Sequence, residues 1–252
     1  MRPLTDTSRW LKLFHPDPAA DIRVVCLPHA GGSATFWFPF SQALPRGVEA
    51  LAVQYPGRQE RHREPPLTRI DALADAITPL LDDGSGRAVA LLGHSMGALI
   101  AFETAHQLRQ RGAEPAALFV SARGAPSCPR TRPSVHRMAE EEIAWELRKL
   151  GGTDTRLLDD PEVLRLLLPT VRADYEAVET YAYRPRPPLE CPVVAMVGDA
   201  DPLVGTTEAE AWSKQTTGEF HLKVFPGGHF YLAEQQEALA AMVAEQIAGC
   251  RT

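Results

Sequence analysis

The stretch "LLGHSMGALI" occupies residues 91–100 and brackets Ser95 with Gly93 and Gly97. Two leucines and their neighbours read as a strand, and the apolar run after Gly97 reads as a helix. A serine between them, with glycine two positions away on each side, fits a tight strand-to-helix turn that lifts the hydroxyl clear of the backbone. The pattern G-x-S-x-G arises by chance in about one chain in twenty of this length. Its context therefore has to decide whether it carries chemistry.

The surrounding chain supplies that context. "IRVVCL" (22–27), "EALAVQY" (49–55), "AVALL" (88–92), "AALFVSA" (116–122), "PVVAMV" (192–197) and "HLKVF" (221–225) are short, apolar and rich in β-branched residues, as strands are. Helix-length segments lie near 35–44, 68–82, 97–111, 206–216 and 231–248, and Gly112 closes the third. Strand and helix in alternation imply an α/β fold, with a mostly parallel sheet covered by helices on both faces. About seventy residues interrupt the rhythm between the fourth and fifth strands, with prolines at both edges ("APSCPRTRP", "YRPRPPLECP"). They contain helical patterns of their own, which suits an inserted cap better than a structureless loop. The expected organisation is a core formed by 1–125 and 189–252 and an insertion over 126–188.

Composition narrows the function. The chain has 252 residues, 44% of them hydrophobic and 23% charged, and a formal net charge of −6. That balance excludes a general nucleic-acid binder, which needs basic surface. "MRPLTDTSRWLKLF" carries charges through its first apolar stretch and resembles neither a signal peptide nor a membrane span. Cys26, Cys128, Cys191 and Cys250 are scattered, so free thiols and a cytoplasmic location are expected. No cysteine or histidine spacing suggests a metal site. Two loops are locally basic: "YPGRQERHREPP" (55–66) and "SARGAPSCPRTRPSVHR" (121–137).

A serine hydroxyl needs a base, and the base needs an acid to orient it. After an elbow of this kind the acid and then the histidine follow in chain order. Only His221 and His229 come late enough. His221 sits within a strand, whereas His229 follows one in "FPGGHFYL", where two glycines let a loop carry the imidazole over the strand ends. His229 is the expected base. The acid should follow "VVAMV", and "GDADPLV" offers both Asp199 and Asp201, which position alone does not separate. For the oxyanion, the backbone N–H of Met96 is one donor, and Ala30 in "LPHAGGSATFWF" is the other. Phosphate-binding glycine motifs are absent from that loop.

Taken together, "CLPHAGGSA" (26–34), "VQYPGRQERHREPP" (53–66), "LLGHSMGALIAFE" (91–103), "LRKLGGT" (147–153), "VRADYEAVETY" (171–181), "GDADPLV" (198–204) and "PGGHFYL" (226–232) resemble a type II thioesterase. Members of that family are free-standing α/β-hydrolases that accompany polyketide and nonribosomal peptide synthases. The resemblance runs in order from residue 10 to residue 248, with Val171 where leucine is more usual. It implies that Asp201 is the acid, that the insertion is a helical lid, and that the sheet lacks the extra N-terminal strand of larger α/β-hydrolases. The implied reaction removes acyl groups from the phosphopantetheine arm of carrier domains through an acyl-serine, with no cofactor or metal. A monomer is expected. On this reading Arg58, Arg61, Arg63, Arg123, Arg130 and Arg132 form a basic rim for an acidic carrier. The rival readings are a general carboxylesterase, a chain-releasing cyclase and a non-catalytic carrier-binding module.

Overall fold

The computed structural model describes residues 4–82, 84–129, 133–152 and 159–249. Seven strands form one sheet: β1 (Leu11–Lys12), β2 (Ile22–Leu27), β3 (Val48–Val53), β4 (Ala88–His94), β5 (Leu118–Ser121), β6 (Val193–Gly198) and β7 (Phe220–Phe225). Their order is β1-β3-β2-β4-β5-β6-β7. All neighbours run parallel except β1, which pairs antiparallel with β3 through Leu11 and Val53. The two-residue β1 is an edge the sequence does not signal, being too short to show a period.

Alternation along the central strands sends apolar side chains to both faces. Val25, Leu27 and Leu91 join one buried cluster, with Leu99, Ile100 and Phe102 of the helix α4 (Met96–Gln110) and Leu73 and Ile77 of α3 (Ile70–Ile77). Val24, Cys26, Ala90 and Leu92 join a second, with Trp37, Phe40 of α2 (Phe38–Ala43) and Val243 of α8 (Gln236–Gly249). A sheet apolar on both sides needs helices on both sides. The short α1 (Leu4–Trp10) brings Trp10 to the first cluster, and α7 (Thr206–Glu210) follows β6. Several predicted helices are shorter than their patterns. The segment at 68–82 gives up α-geometry after Ile77, where Pro79 lacks an N–H, and finishes as a 3₁₀ turn over Thr78–Leu80.

Between β5 and β6 the chain forms α5 (Glu140–Leu150) and α6 (Pro161–Glu179). Asp160 caps α6 by accepting from Glu162 N at 2.8 Å, and Pro161 occupies its first position, where a missing N–H costs nothing. Ile143 and Leu147 of α5 pack with Leu168 and Val171 of α6 in a small cluster of their own. Ala177 and Val178, farther along α6, belong instead to the main core. Cys26 and Cys191 are buried free thiols and Cys128 is a half-buried one, while Cys250 lies outside the described residues.

The glycines around Ser95 are required for close approach of backbones. A Cβ at Gly93 would lie 2.2 Å from the carbonyl oxygen of Gly97, and one at Gly97 would lie 2.0 Å from that of Leu27. Neither obstacle is a flexible side chain that could swing away. Gly97→Ala should therefore cost about 3 kcal/mol or more, seen as a melting temperature lower by about 6–12 °C for a chain of this size. A thermal melt of the variant unchanged from the wild type would contradict this packing.

Candidate active site

β4 ends at His94 and α4 begins at Met96, so Ser95 alone makes the turn. Its backbone sits at φ 54°, ψ −111°, a conformation few side chains tolerate. The strained residue is held from both sides: its N–H donates to Ser121 O on β5 at 2.8 Å, and its carbonyl accepts from Ala98 N at 3.1 Å.

His229 arrives on the loop after β7. Its Nε2 lies 3.0 Å from Ser95 Oγ, and its Nδ1 lies 2.9 Å from Asp201 Oδ2 and 3.1 Å from Oδ1. The Asp201 side chain is fully buried and also accepts from Leu203 N at 2.8 Å, which fixes the carboxylate plane. Asp199 does a different job, accepting from Gly227 N at 2.9 Å and tying the acid loop to the histidine loop. The two loops touch through bare backbone, since a Cβ at Gly198 would lie 2.4 Å from the carbonyl oxygens of Gly227 and Gly228. Geometry thus separates the two aspartates that position in the sequence did not. His221 stays on β7, half-exposed and 3.5 Å from Glu219.

Met96, one of the two predicted oxyanion donors, directly follows Ser95 in the chain. Met96 opens α4, and Ala30 lies in the loop after β2 on the wall of the cavity that contains Ser95 and His229. Among the described residues neither backbone N–H has a hydrogen-bond partner. The cavity measures about 460 Å³. Leu147 and Leu150 of α5 and Tyr175 and Val178 of α6 line it as well, together with the polar Arg123, Lys149 and Glu179. Among the described residues no group of side chains could hold a metal ion, and no helix is long and apolar enough to cross a membrane.

Two further histidines surround the site without signalling themselves in the sequence. The His29 ring packs edge-on against Phe36 and Phe230, and the His94 ring lies 5.4 Å from that of His229. Ser121 Oγ bridges His94 Nδ1 at 2.9 Å and the Tyr231 hydroxyl at 2.7 Å. Burial lowers the pKa of both imidazoles, helped by the neighbouring His229, and His29 falls to about 3. Among the described residues neither ring contacts a carboxylate, whereas His229 faces Asp201.

The proposed basic rim is corrected in part. Arg58 and Arg61 are buried rather than presented to solvent. Arg58 pairs with Asp174 at 2.5 Å and lies over the Tyr55 ring, and Arg61 pairs with Glu64 and stacks 4.2 Å from the Trp10 ring. Arg58 ties its loop to α6 of the insertion and Arg61 ties the same loop to Trp10, so both guanidinium groups are engaged inside the protein. Arg63 is exposed and Arg123 is half-buried on the cavity wall. Arg130 and Arg132 lie outside the described residues.

The depressed imidazoles give stability a pH dependence of definite sign. His29, His94 and His106 are held neutral in the folded state by burial, with His29 and His106 lowered to about 3. Below their unfolded value of about 6.5 the unfolded chain takes up protons that the folded protein excludes. Stability is therefore full above that pH and falls as pH drops towards 3, by up to about 1.4 kcal/mol per pH unit for each ring. Urea midpoints should decline between pH 6.5 and 4.5, and His94→Asn should flatten the decline. An identical slope in that variant would show that His94 titrates alike in both states.

Comparison with known proteins places this geometry in a family. A family model described as a thioesterase domain matches residues 22–247. The thioesterase PikA5 of Streptomyces venezuelae is 46% identical over 250 residues, covering 98% of this chain and 88% of its own. The gramicidin S biosynthesis protein GrsT of Aneurinibacillus migulanus is 36% identical, over 97% of this chain and 96% of its own. Among solved structures, the type II thioesterase BorB from the borrelidin biosynthetic cluster superposes with a TM-score of 0.88 at 49% identity, covering 94% of this chain and 97% of that one. With an α/β-hydrolase sheet, a serine elbow and matches over nearly its whole length, the chain belongs to the thioesterase family, serine hydrolases that act on thioesters.

Proposed function

We propose that this chain is an editing thioesterase that hydrolyses acyl groups from the phosphopantetheine arm of carrier domains in a polyketide or nonribosomal peptide synthase. Ser95, His229 and Asp201 are its triad, and the amides of Ala30 and Met96 are its oxyanion donors. The observation that carries the reading is the 3.0 Å approach of His229 Nε2 to Ser95 Oγ on the wall of a cavity roofed by α5 and α6. Support for the substrate class comes from the relatives, several of which are named for such biosynthetic systems.

The chemistry follows from the parts. His229 Nε2 accepts the Ser95 proton as Oγ bonds to the thioester carbonyl carbon, and the carbonyl electron pair moves onto oxygen. The two amides stabilise that oxyanion, which forms only in the transition state and the intermediate. Collapse expels the pantetheine thiolate, which takes the proton from His229 and leaves an acyl-serine. Water, deprotonated by the same imidazole, attacks the acyl carbon; the C–Oγ bond then breaks, Ser95 Oγ takes the proton back from His229, and the carboxylic acid leaves. Asp201 accepts from Nδ1–H and holds the imidazole in place. In this reading the helices within 126–188 act as the lid over the acyl group.

A panel of acyl-loaded carrier protein, small acyl-thioester and nitrophenyl ester tests the assignment. Turnover should be most efficient on the carrier-bound thioester, and Ser95→Ala should lower kcat by about 10⁶. A preference for the nitrophenyl ester would instead indicate an esterase, a cyclised product a chain-releasing enzyme, and failure of Ser95 to react with a fluorophosphonate a binding module.

Of the arginines first assigned to docking, Arg63 and Arg123 keep an accessible place. A carrier is acidic around its phosphopantetheine, so Arg63→Glu should raise KM for acyl-carrier protein several-fold, with a steep salt dependence. The small thioester should be unaffected, and equal losses on both substrates would remove Arg63 from the docking surface.

A further inference from the structure

We infer that Asp174, on the helix α6, is a positioning residue for the oxyanion donor Ala30. The inference rests on the oxyanion role proposed above and adds a residue to that site.

Four observations carry it. The backbone N–H of Gly31, next to Ala30, donates to Asp174 Oδ2 at 2.7 Å across 143 positions of sequence. Arg58 Nη2 donates to the same oxygen, and both side chains of this ion pair are almost fully buried. Val171, one turn earlier on α6, lies so close to Gly31 that a Cβ there would sit 3.1 Å from its methyl, and Gly31 itself holds φ +76°. Thr170 Oγ1 donates to Gly57 O at 2.6 Å, which ties the neighbouring residue of the helix to the loop that carries Arg58.

A buried carboxylate is costly to maintain unless its donors are good ones. Burial pushes the Asp174 carboxyl above the ordinary aspartate range, while Arg58 and the Gly31 amide oppose that rise. Arg58 has no other carboxylate among the described residues, and its Nε and Nη1 are buried without partners. A buried ion pair adds little net stability by itself. Here its acceptor is spent on a glycine amide one peptide from the proposed oxyanion donor. A glycine pair, Gly31-Gly32, cannot fix its own backbone, and an amide misplaced by about 1 Å can cost 10²-fold in rate. Asp174 supplies the missing constraint from the insertion. The amide of Ala30 is consequently aimed only while α6 is seated.

Removing Asp174 alone would strand the Arg58 charge, so the decisive variant replaces both partners, Arg58→Met with Asp174→Leu, which leaves no unpaired ion. Asp174→Asn accompanies it, keeping a carbonyl acceptor but losing the charge that Arg58 holds in place. On an acyl-pantetheine thioester, kcat should fall about 10–100-fold in the double variant and by a smaller factor in Asp174→Asn, with KM within about threefold of wild type. Affinity for an acyl trifluoromethyl ketone, which Ser95 converts to a tetrahedral oxyanion, should fall in parallel with kcat. Affinity for the matching unreactive thioether should not change. A purely structural role would weaken both ligands alike. Wild-type kcat in either folded variant, or equal loss of ketone and thioether binding, overturns the assignment. Should the wild type cleave only oxygen esters, the thioesterase reading fails, and the same kcat comparison on a nitrophenyl ester still decides the role of Asp174.

Discussion

The arrangement depends on one contact between backbones. Gly97 in the first turn of α4 rests against the carbonyls of Leu27 and Pro28, where β2 gives way to the Ala30 loop; a Cβ there would be 2.0 Å and 2.8 Å from those two oxygens. Without a side chain at 97, the helix that begins after Ser95 lies directly beside the loop that carries Ala30. The serine, its helix N-terminus and the small-residue loop are thus brought together by close packing of main chain. Gly93, jammed against Gly97 from the strand side, fixes the height of the same turn. The positive φ of Ser95 is tolerated because its N–H and carbonyl are each committed to a neighbour. Strain of this kind persists only where surroundings over-determine it, and here strand, strand and helix all do.

The same contact explains which parts of the site were legible in the sequence. Ser95 and His229 are announced by glycines, because close approach leaves a compositional trace. Asp201 is not so marked: "GDAD" offers two acids, and only the three-dimensional meeting of the two loops shows Asp199 bonded to Gly227 while Asp201 reaches the imidazole. Arg58 and Arg61 were misread for a physical reason. A local run of arginines looks like solvated surface when the partners that bury it lie far off, and Asp174 is 116 positions from Arg58. One signal was available. Val171, Asp174 and Val178 fall on one stripe of an α-helix, so an acid occupies a position where the period calls for an apolar residue. An ionisable group on the buried stripe demands a partner, and the only question left open is which one. His29 and His94 offered no such clue, since a histidine beside apolar neighbours looks like any core residue.

The insertion is also not mechanically uniform, and this bears on how an acyl chain enters. α6 is fastened to the body by the Arg58–Asp174 pair, by Thr170 on Gly57 O, and by Ala177 and Val178 in the main core. α5 meets α6 mainly through the cluster of Ile143, Leu147, Leu168 and Val171 and leaves Trp145 more than half exposed. Lifting both helices would expose the buried ion pair and part of the main core together. Lifting α5 alone exposes Ile143, Ala144 and Leu147 and their partners, at about 1.5–3 kcal/mol for each large apolar side chain returned to water. The smaller penalty makes α5 the more weakly held wall of the cavity and α6 the more firmly held one. A firmly held α6 suits the proposed anchoring of the Ala30 loop to Asp174, because a helix that moved would draw Gly31 with it. The helix that bonds to the Ala30 loop is thus the firmly fastened one of the insertion, and the helix displaced at lower cost is the one that makes no such bond among the described residues.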